Sequence, residues 1–192
     1  GYVREGLGMP EIRLGRKGMI EKTEAEGFDN VVEMRIADRA SIKDLSEGAV
    51  REIRAPVLQI FDSNIFFEVC GECRKRLKEE EEGFTCIEHG MVEPSYNMVL
   101  SGIIDDSTGN IRAVFFGSAA EALIGMSVAE AKKIFDRKKK NDAILSRVQL
   151  GKDFLLGGKV RRNEFFDRLE FIVSHVREID IKKEIEMLVG RE

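Results

Sequence analysis

Three cysteines and one of the two histidines fall within a stretch of twenty residues. Cys70 and Cys73 form a C-x2-C pair, and Cys86 and His89 form a C-x2-H pair after a spacer of twelve residues. Each pair places two ligand atoms at one tight turn, so the two turns together supply a tetrahedral zinc site. Four protein ligands leave no position for an activated water, and we therefore expect a structural zinc. Iron–sulfur ligation is a less fitting alternative, because one ligand is an imidazole.

Few other groups of catalytic type are present. His175 lies in an apolar alternation typical of a β-strand, and we interpret it as an ordinary strand residue. The run Gly157-Gly158-Lys159 resembles part of a phosphate-binding loop, but it lacks the first glycine of that motif and the hydroxyl residue after the lysine. No Ser-His-Asp arrangement is evident, so we predict a protein that is not an enzyme. An odd number of cysteines favours metal chemistry in a reducing compartment over disulfides.

Charge is unevenly distributed along a chain whose formal net charge is −4. Residues 79–82 are all acidic, residues 137–140 are all basic, and a second basic run covers 159–162. A run of this kind is usually a solvated face, which is our interpretation of 137–140. Only the local field at a groove steers a phosphate backbone, so the negative total does not exclude nucleic-acid binding. No stretch approaches the ~20 apolar residues of a membrane span, and a membrane protein is not expected.

The order of predicted elements indicates an all-β fold with accessory helices. Runs rich in β-formers predict strands over 51–61, 64–69, 95–105, 111–117, 154–160 and 168–176, and helical patterns cover 119–124 and 127–146. Ser127 is placed to cap the second helix, with Glu130 three residues on. The predicted order is that of an OB-fold barrel, whose helix lies between the third and fourth strands. It consists of a strand, a zinc hairpin, two strands, a helical region and two more strands. The expected fold is an OB barrel with an inserted zinc ribbon-like hairpin and a C-terminal helix.

The chain divides into three predicted parts. Residues 1–29 lack the apolar mass for a core and lack an initiator Met, so they are interpreted as the tail of a preceding OB domain in a longer polypeptide. Residues 30–178 form the OB fold, with the zinc insertion at 70–89. Residues 179–192 form a helix whose apolar face needs a cover, and its four apolar residues are Ile181, Ile185, Leu188 and Val189. That face either folds back on the barrel or joins helices of partner subunits.

Several of these segments together resemble one known family. The zinc motif from Phe67 to His89, the strand from Tyr96 to Leu100, and the run from Phe115 to Gly125 are similar to the zinc-containing C-terminal OB domain of the replication protein A large subunit. The Cys3His ligand set resembles the archaeal branch. The resemblance implies single-stranded DNA binding in replication, recombination and repair, in the cytoplasm at the nucleoid. It also implies a heterotrimer with two smaller OB subunits joined through C-terminal helices, with DNA polymerase or primase as further partners.

The resemblance also indicates where DNA would bind. In the family one stacking aromatic lies in the loop between the last two strands, where this chain has Phe165 and Phe166. On a strand these neighbours would face opposite ways, so one of them is expected to stack; packing of both into the barrel is the alternative. The expected cationic partners are Arg112, Lys159, Arg161 and Arg162. Four other phenylalanines lie in apolar runs and are assigned to the core: Phe61, Phe115, Phe116 and Phe154.

One departure from the family supports a rival function. A second family aromatic lies in the turn between strands two and three, but residues 106–109 contain none here. That absence and the acidic net charge favour a non-catalytic assembly scaffold that holds the smaller subunits with little DNA affinity of its own. The sequence leaves both functions open.

Overall fold

A closed barrel of five β-strands is the centre of the fold. The computed structural model describes residues 2–6, 9–13, 19, 39–182 and 184–185. In chain order its strands are β1 (Tyr2–Gly6), β2 (Met9–Arg13), β3 (Val50–Ile60), β4 (Phe66–Cys70), β5 (Lys78–Glu80), β6 (Gly83–Cys86), β7 (Gly90–Met91), β8 (Pro94–Asp105), β9 (Asn110–Phe116), β10 (Asp153–Asn163) and β11 (Arg168–Glu178). Its helices are α1 (Ser118–Ile124), α2 (Val128–Lys138) and α3 (Asp142–Leu145), with a 3-10 turn at Ile42–Asp44.

The barrel closes through an unbroken circuit of strand pairs. β3 pairs with β10, β10 with β11, β11 runs parallel to β9, β9 pairs with β8, and β8 returns to β3. Gly102 permits this last contact, because a Cβ at that position would lie 2.0 Å from the carbonyl oxygen of Gln59. The helices lie between β9 and β10 in the chain. This is the predicted OB fold, with β4 added as a sixth strand on β8.

Apolar side chains on the inner faces of the strands fill the barrel. The fully buried ones come from every barrel strand and include Ile53, Leu100, Phe115, Leu156 and Phe171. The helical segment covers this core, and Phe135 of α2 contacts Phe66 of β4 with ring centroids 5.4 Å apart. Burial of large side chains contributes roughly 1.5–3 kcal/mol each, and it is the main stabilising term of such a barrel.

The predicted helix over 127–146 is wrong in its middle. Ser127 does cap α2 through a capping box with Glu130, as predicted. The helix ends at Lys138, however, because Lys139 adopts the left-handed conformation with φ 54°. The side-chain amide of Asn141 then donates to Asp62 and to the carbonyl of Ser63, and this tether turns the chain into α3.

The zinc-motif segment forms a small sheet of its own outside the barrel. β5, β6 and β7 pair in that order as an antiparallel three-stranded sheet. Its apolar centre is separate from the barrel core and consists of Leu77 with the buried cysteines, against which Phe84 and Val92 pack. β4 enters this unit and β8 leaves it, so the paired strands hold the hairpin against one side of the barrel.

An ion-pair network joins the start of the C-terminal helix to the barrel. Glu184 accepts two hydrogen bonds from Arg39, at 2.8 and 2.9 Å, and its side chain is buried. Arg39 also bonds Glu52 of β3 at 3.2 Å, and Glu52 accepts from Arg177 of β11. Arg39 holds the pKa of Glu184 below its ordinary value, chiefly through these hydrogen bonds. Among the described residues from 181 to 185, it is therefore the charged Glu184, not Ile181 or Ile185, that faces the barrel.

Residues 1–29 are described only in part. β1 and β2 pair antiparallel with Tyr2 opposite Arg13. The assignment of this segment to a preceding domain stays a prediction. Across the ranges that the structure covers, none of the helices has the length and apolar character to cross a membrane.

Candidate metal centre and nucleic-acid interface

The four predicted metal ligands converge on one point at the base of the hairpin. Their ligand atoms all lie within 4.8 Å of one another. The Sγ atoms of Cys73 and Cys86 are 3.5 Å apart, and Nδ1 of His89 lies 3.4 Å from Sγ of Cys70 and 3.6 Å from Sγ of Cys86. Zn–S bonds of about 2.3 Å and Zn–N bonds of about 2.0–2.1 Å at tetrahedral angles require edges of roughly 3.5–3.8 Å. The cluster therefore has the size and donor set of a metal site.

Backbone donors at the two turns prepare the sulfurs for a cation. The backbone N–H of Cys73 lowers the pKa of Cys70, and the backbone N–H of Glu88, 3.5 Å from Sγ of Cys86, lowers the pKa of Cys86. A hydrogen bond from the Lys75 backbone lowers the pKa of Cys73, but burial and the two neighbouring sulfurs outweigh it and raise that pKa to about 11. A bound divalent cation relieves this crowding of negative charge.

Carboxylates surround the imidazole and the outer side of the hairpin. Oε2 of Glu72 lies 3.6 Å from Nε2 of His89, on the ring nitrogen that faces away from the cluster. Lys75 and Glu88 form an ion pair of 2.6 Å across the two turns, which lowers the pKa of Glu88. These contacts orient the turns that carry the ligands.

The predicted aromatic pair lies at the tip of the hairpin between β10 and β11. Phe165 is 88% exposed and Phe166 is 56% exposed, and their rings meet edge to face at 4.9 Å. The backbone N–H groups of both residues donate to Oδ1 of Asn163, which fixes the turn. The pair therefore lies in a turn rather than on a strand, so the expectation that the rings face opposite ways does not apply. The alternative in which both rings pack into the barrel is excluded.

Three of the predicted cations lie on β10 and Arg112 lies on β9, and two of the four are neutralised. Arg162 forms ion pairs with Glu47 at 3.1 Å and with Asp167 at 2.8 Å. These pairs raise the pKa of Arg162, and Glu47 has the larger effect. Arg112 lies 3.3 Å from Glu170 and donates to Ser101. Two cations form no ion pair within the described part of the chain, and these are Lys159 and Arg161.

The assignment of two phenylalanines to the core is wrong. Phe115 and Phe154 are buried as expected, whereas Phe116 is 44% exposed and Phe61 is only partly buried. Phe116 meets Phe67 of β4 edge to face at 6.5 Å, and Phe61 lies 5.6 Å from the guanidinium of Arg112. The alternation of β9 points Phe115 inward and Phe116 outward.

These side chains form one strip, which we call the outer strip. The registers place Arg161 beside Glu170, Glu170 beside Arg112, Lys159 beside Ile172, and Ile172 beside Val114, with Phe116 two residues further along β9. The outer strip therefore runs from Phe165 and Phe166 along the outward faces of β10, β11 and β9 to Phe116 and Phe67, and Val114 within it is buried. It has aromatic rings at both ends and cations between them.

Comparison with known proteins assigns the chain to a family. The sequence model of the replication factor-A C terminal domain matches residues 51–188. The chain belongs to this family. A replication factor A of the archaeon Methanothermobacter thermautotrophicus is 28% identical over 190 residues, which cover 94% of this chain and 23% of that protein. The domain thus spans about a quarter of the length of that relative.

Two solved structures share the fold of this replication factor-A domain. One, described as a replication protein A heterotrimer bound to ssDNA, has a TM-score of 0.65 at 24% identity and covers 81% of this chain and 39% of the matched chain. The other, yeast RPA bound to ssDNA, has a TM-score of 0.62 at 17% identity and covers 80% of this chain and 95% of the matched chain. The sequence resemblance to the replication protein A family is confirmed.

The C-terminal helix presents its described apolar residues to solvent. Ile181 is 71% exposed and Ile185 is 55% exposed, whereas Glu184 between them faces the barrel. Within residues 181–185 the apolar face does not fold back on the barrel. Leu188 and Val189 lie outside the described residues.

Proposed function

We propose that this chain binds single-stranded DNA in replication, recombination and repair, as the core of the large subunit of a replication protein A complex. The observation that carries the proposal is the exposed pair Phe165 and Phe166 at the end of the outer strip, on an OB barrel of this family. Both solved relatives were captured with ssDNA, which supports the same ligand here.

The outer strip has the two components that sequence-independent binding of a single strand requires. Unstacked bases need flat aromatic faces, each worth about 1–3 kcal/mol, and the backbone needs cations. Phe165 and Phe166 supply the faces at one end, with Phe116 at the other. Arg161 and Lys159 meet the phosphates on the outer strip, and Arg112 joins them when DNA displaces its carboxylate partner. Arg162 lies on the other face of β10 and meets a strand that passes around the hairpin tip.

The metal in this proposal is zinc, and its role is structural. Cys70, Cys73, Cys86 and His89 would fill all four positions of a tetrahedral ion, which leaves no site for substrate or activated water. The hairpin has a very small apolar centre, so a bound ion supplies most of its stability. We assign no catalytic step to this chain.

The C-terminal helix is the proposed contact with two smaller OB subunits. The exposure of Ile181 and Ile185 supports this role, with Leu188 and Val189 continuing the same face. The same proposed role in replication implies DNA polymerase or primase as a further partner. It also implies a cytoplasmic location at the nucleoid.

Changing Ile181 and Ile185 together to glutamate is expected to break the assembly. Each buried isoleucine contributes roughly 1.5–3 kcal/mol, and two buried carboxylates add a further penalty. We expect at least a ~10-fold weaker association with co-expressed small subunits, measured by light scattering across a dilution series. Lys182→Glu changes an exposed position on the same helix and serves as the control. Equal association of both variants would remove the helix from the interface.

A second candidate function is the assembly scaffold with little DNA affinity. The neutralisation of Arg162 by Glu47 and Asp167, and of Arg112 by Glu170, favours it. Fluorescence anisotropy of labelled oligo-dT decides between the two, at two salt concentrations and with duplex competitor. Salt-sensitive binding that duplex fails to displace supports the DNA-binding function. No binding, even with the small subunits present, supports the scaffold.

A further inference from the structure

A strongly basic surface lies at the end of α2 and in the segment that follows it. Between residues 133 and 147 there are six cationic and two acidic side chains, in a chain whose net charge is −4. All six cationic residues are exposed: Lys133, Arg137, Lys138, Lys139, Lys140 and Arg147. We call this set the basic corner.

Only part of this charge is neutralised within the described residues, since Glu130 of α2 interacts electrostatically with Arg147 and Lys133. Asp136 binds Lys132 at 2.6 Å and lies 3.6 Å from Lys139, so its charge is already shared. The other members of the basic corner form no ion pair with a carboxylate in the part of the chain described. A helix C-terminus favours one or two cations, but like charges at i and i+4, such as Lys133 and Arg137, are destabilising.

Several of these cations converge on a concavity. Arg137 and Lys138 of α2 and Arg147 after α3 line a cavity of about 320 Å³, whose floor is formed by Ile134 and Ala143. Two guanidinium groups beside an ammonium group make an arrangement that suits phosphate oxygens, because each guanidinium can donate two parallel hydrogen bonds.

β10 separates this cavity from the aromatic tip. Arg147 precedes the start of β10 by six residues, and Phe165 follows its end by two. Eleven strand residues at 3.2–3.4 Å each span roughly 35 Å. The two surfaces therefore lie at opposite ends of the same strand.

We propose that the basic corner is a second nucleic-acid contact, which takes the phosphate backbone of a strand that extends beyond the outer strip. This inference rests on the DNA binding proposed above and adds a site to it. The contact reads no bases, because the corner offers cations without an exposed aromatic ring. Its effect is on affinity for long strands and on salt dependence.

The test compares a short and a long oligo-dT on the variant Arg137→Gln with Arg147→Gln. For single strands each phosphate contact contributes about 0.7 to the slope of log affinity against log salt. We expect the slope for dT30 to fall by about 1.4 and the affinity at 50 mM salt to fall ~10-fold or more, with dT6 unaffected. Lys78→Gln with Lys182→Gln removes the same charge from exposed positions elsewhere and should leave dT30 binding near wild type.

Each result has a defined meaning. Equal binding of dT30 by the double variant and the wild type would overturn the basic corner while leaving the outer strip intact. Equal loss for dT6 and dT30 would also overturn it, because the corner would then belong to the first site. If the wild type binds neither length, the proposed function and this inference fail together. Matching thermal unfolding curves for the variants show that the fold is retained.

Discussion

Replacing Phe165 and Phe166 together by alanine is expected to weaken oligo-dT binding at least ~10-fold. The two rings are the most exposed aromatic surface of the described chain, and Asn163 fixes the turn that carries them. Even a single stacked base contributes about 1–3 kcal/mol, and 1.4 kcal/mol is a factor of ten in affinity. Because neither ring fills the barrel core, the unfolding free energy should change by less than ~0.5 kcal/mol. Anisotropy titrations and thermal unfolding of the same samples measure both quantities.

Met91→Ala is the control for this experiment. Met91 is an exposed apolar side chain of β7 in the zinc-motif hairpin, and it belongs to neither the outer strip nor the basic corner. We expect its DNA affinity to match the wild type. If the double phenylalanine variant binds oligo-dT as tightly as the wild type, the hairpin tip is not part of the DNA interface. An equal loss in both variants would show a general effect of surface hydrophobicity.

Removing one zinc ligand, in the variant Cys86→Ser, is expected to unfold the hairpin and spare the barrel. The proposed ion is held by four ligands on two turns, and structural zinc contributes about 10–16 kcal/mol of binding free energy in small zinc domains. The apolar cluster of the hairpin is separate from the barrel core. Bound zinc should fall from about one ion per chain to nearly none. Amides of residues 70–91 should then lose their protection from hydrogen exchange, whereas those of β9 and β11 keep theirs.

Glu79→Gln supplies the control, because Glu79 is an exposed residue of β5 in the same hairpin and is not one of the four ligands. Its zinc content should equal that of the wild type. Full zinc retention in Cys86→Ser would show that the ion is held elsewhere. Simultaneous loss of protection in β9 and β11 would show that the hairpin and the barrel are one cooperative unit.

Local patterns are sufficient to predict the parts of this protein that depend on spacing. The candidate metal ligands are two short motifs at fixed distances, and the structure brings all four side chains together. Strand positions follow from runs of β-formers and turn residues. The capping box that Ser127 forms predicts the start of α2. These features involve residues within a few positions of one another.

The missed features depend on which face a residue takes or on distant partners. Phe115 and Phe116 share one apolar run, and only the direction of β9 in the barrel shows that the second points outward. Arg162 is separated by 115 positions in the chain from Glu47, and Arg39 by 145 from Glu184, so no local pattern indicates either pair. The helix break at Lys139 depends on the tether from Asn141 to Asp62, which is also a tertiary contact.

DNA binding at the hairpin tip can be tested directly because the chain contains no tryptophan. Phe165→Trp places a single indole at the hairpin tip, where its emission reports on stacking with bases. We predict that oligo-dT quenches and shifts this emission, and that the midpoint of this titration equals the midpoint of the anisotropy titration. Duplex DNA is expected to leave the emission unchanged. Unchanged tryptophan emission during a complete anisotropy transition would contradict the account, because DNA would then bind away from the aromatic tip.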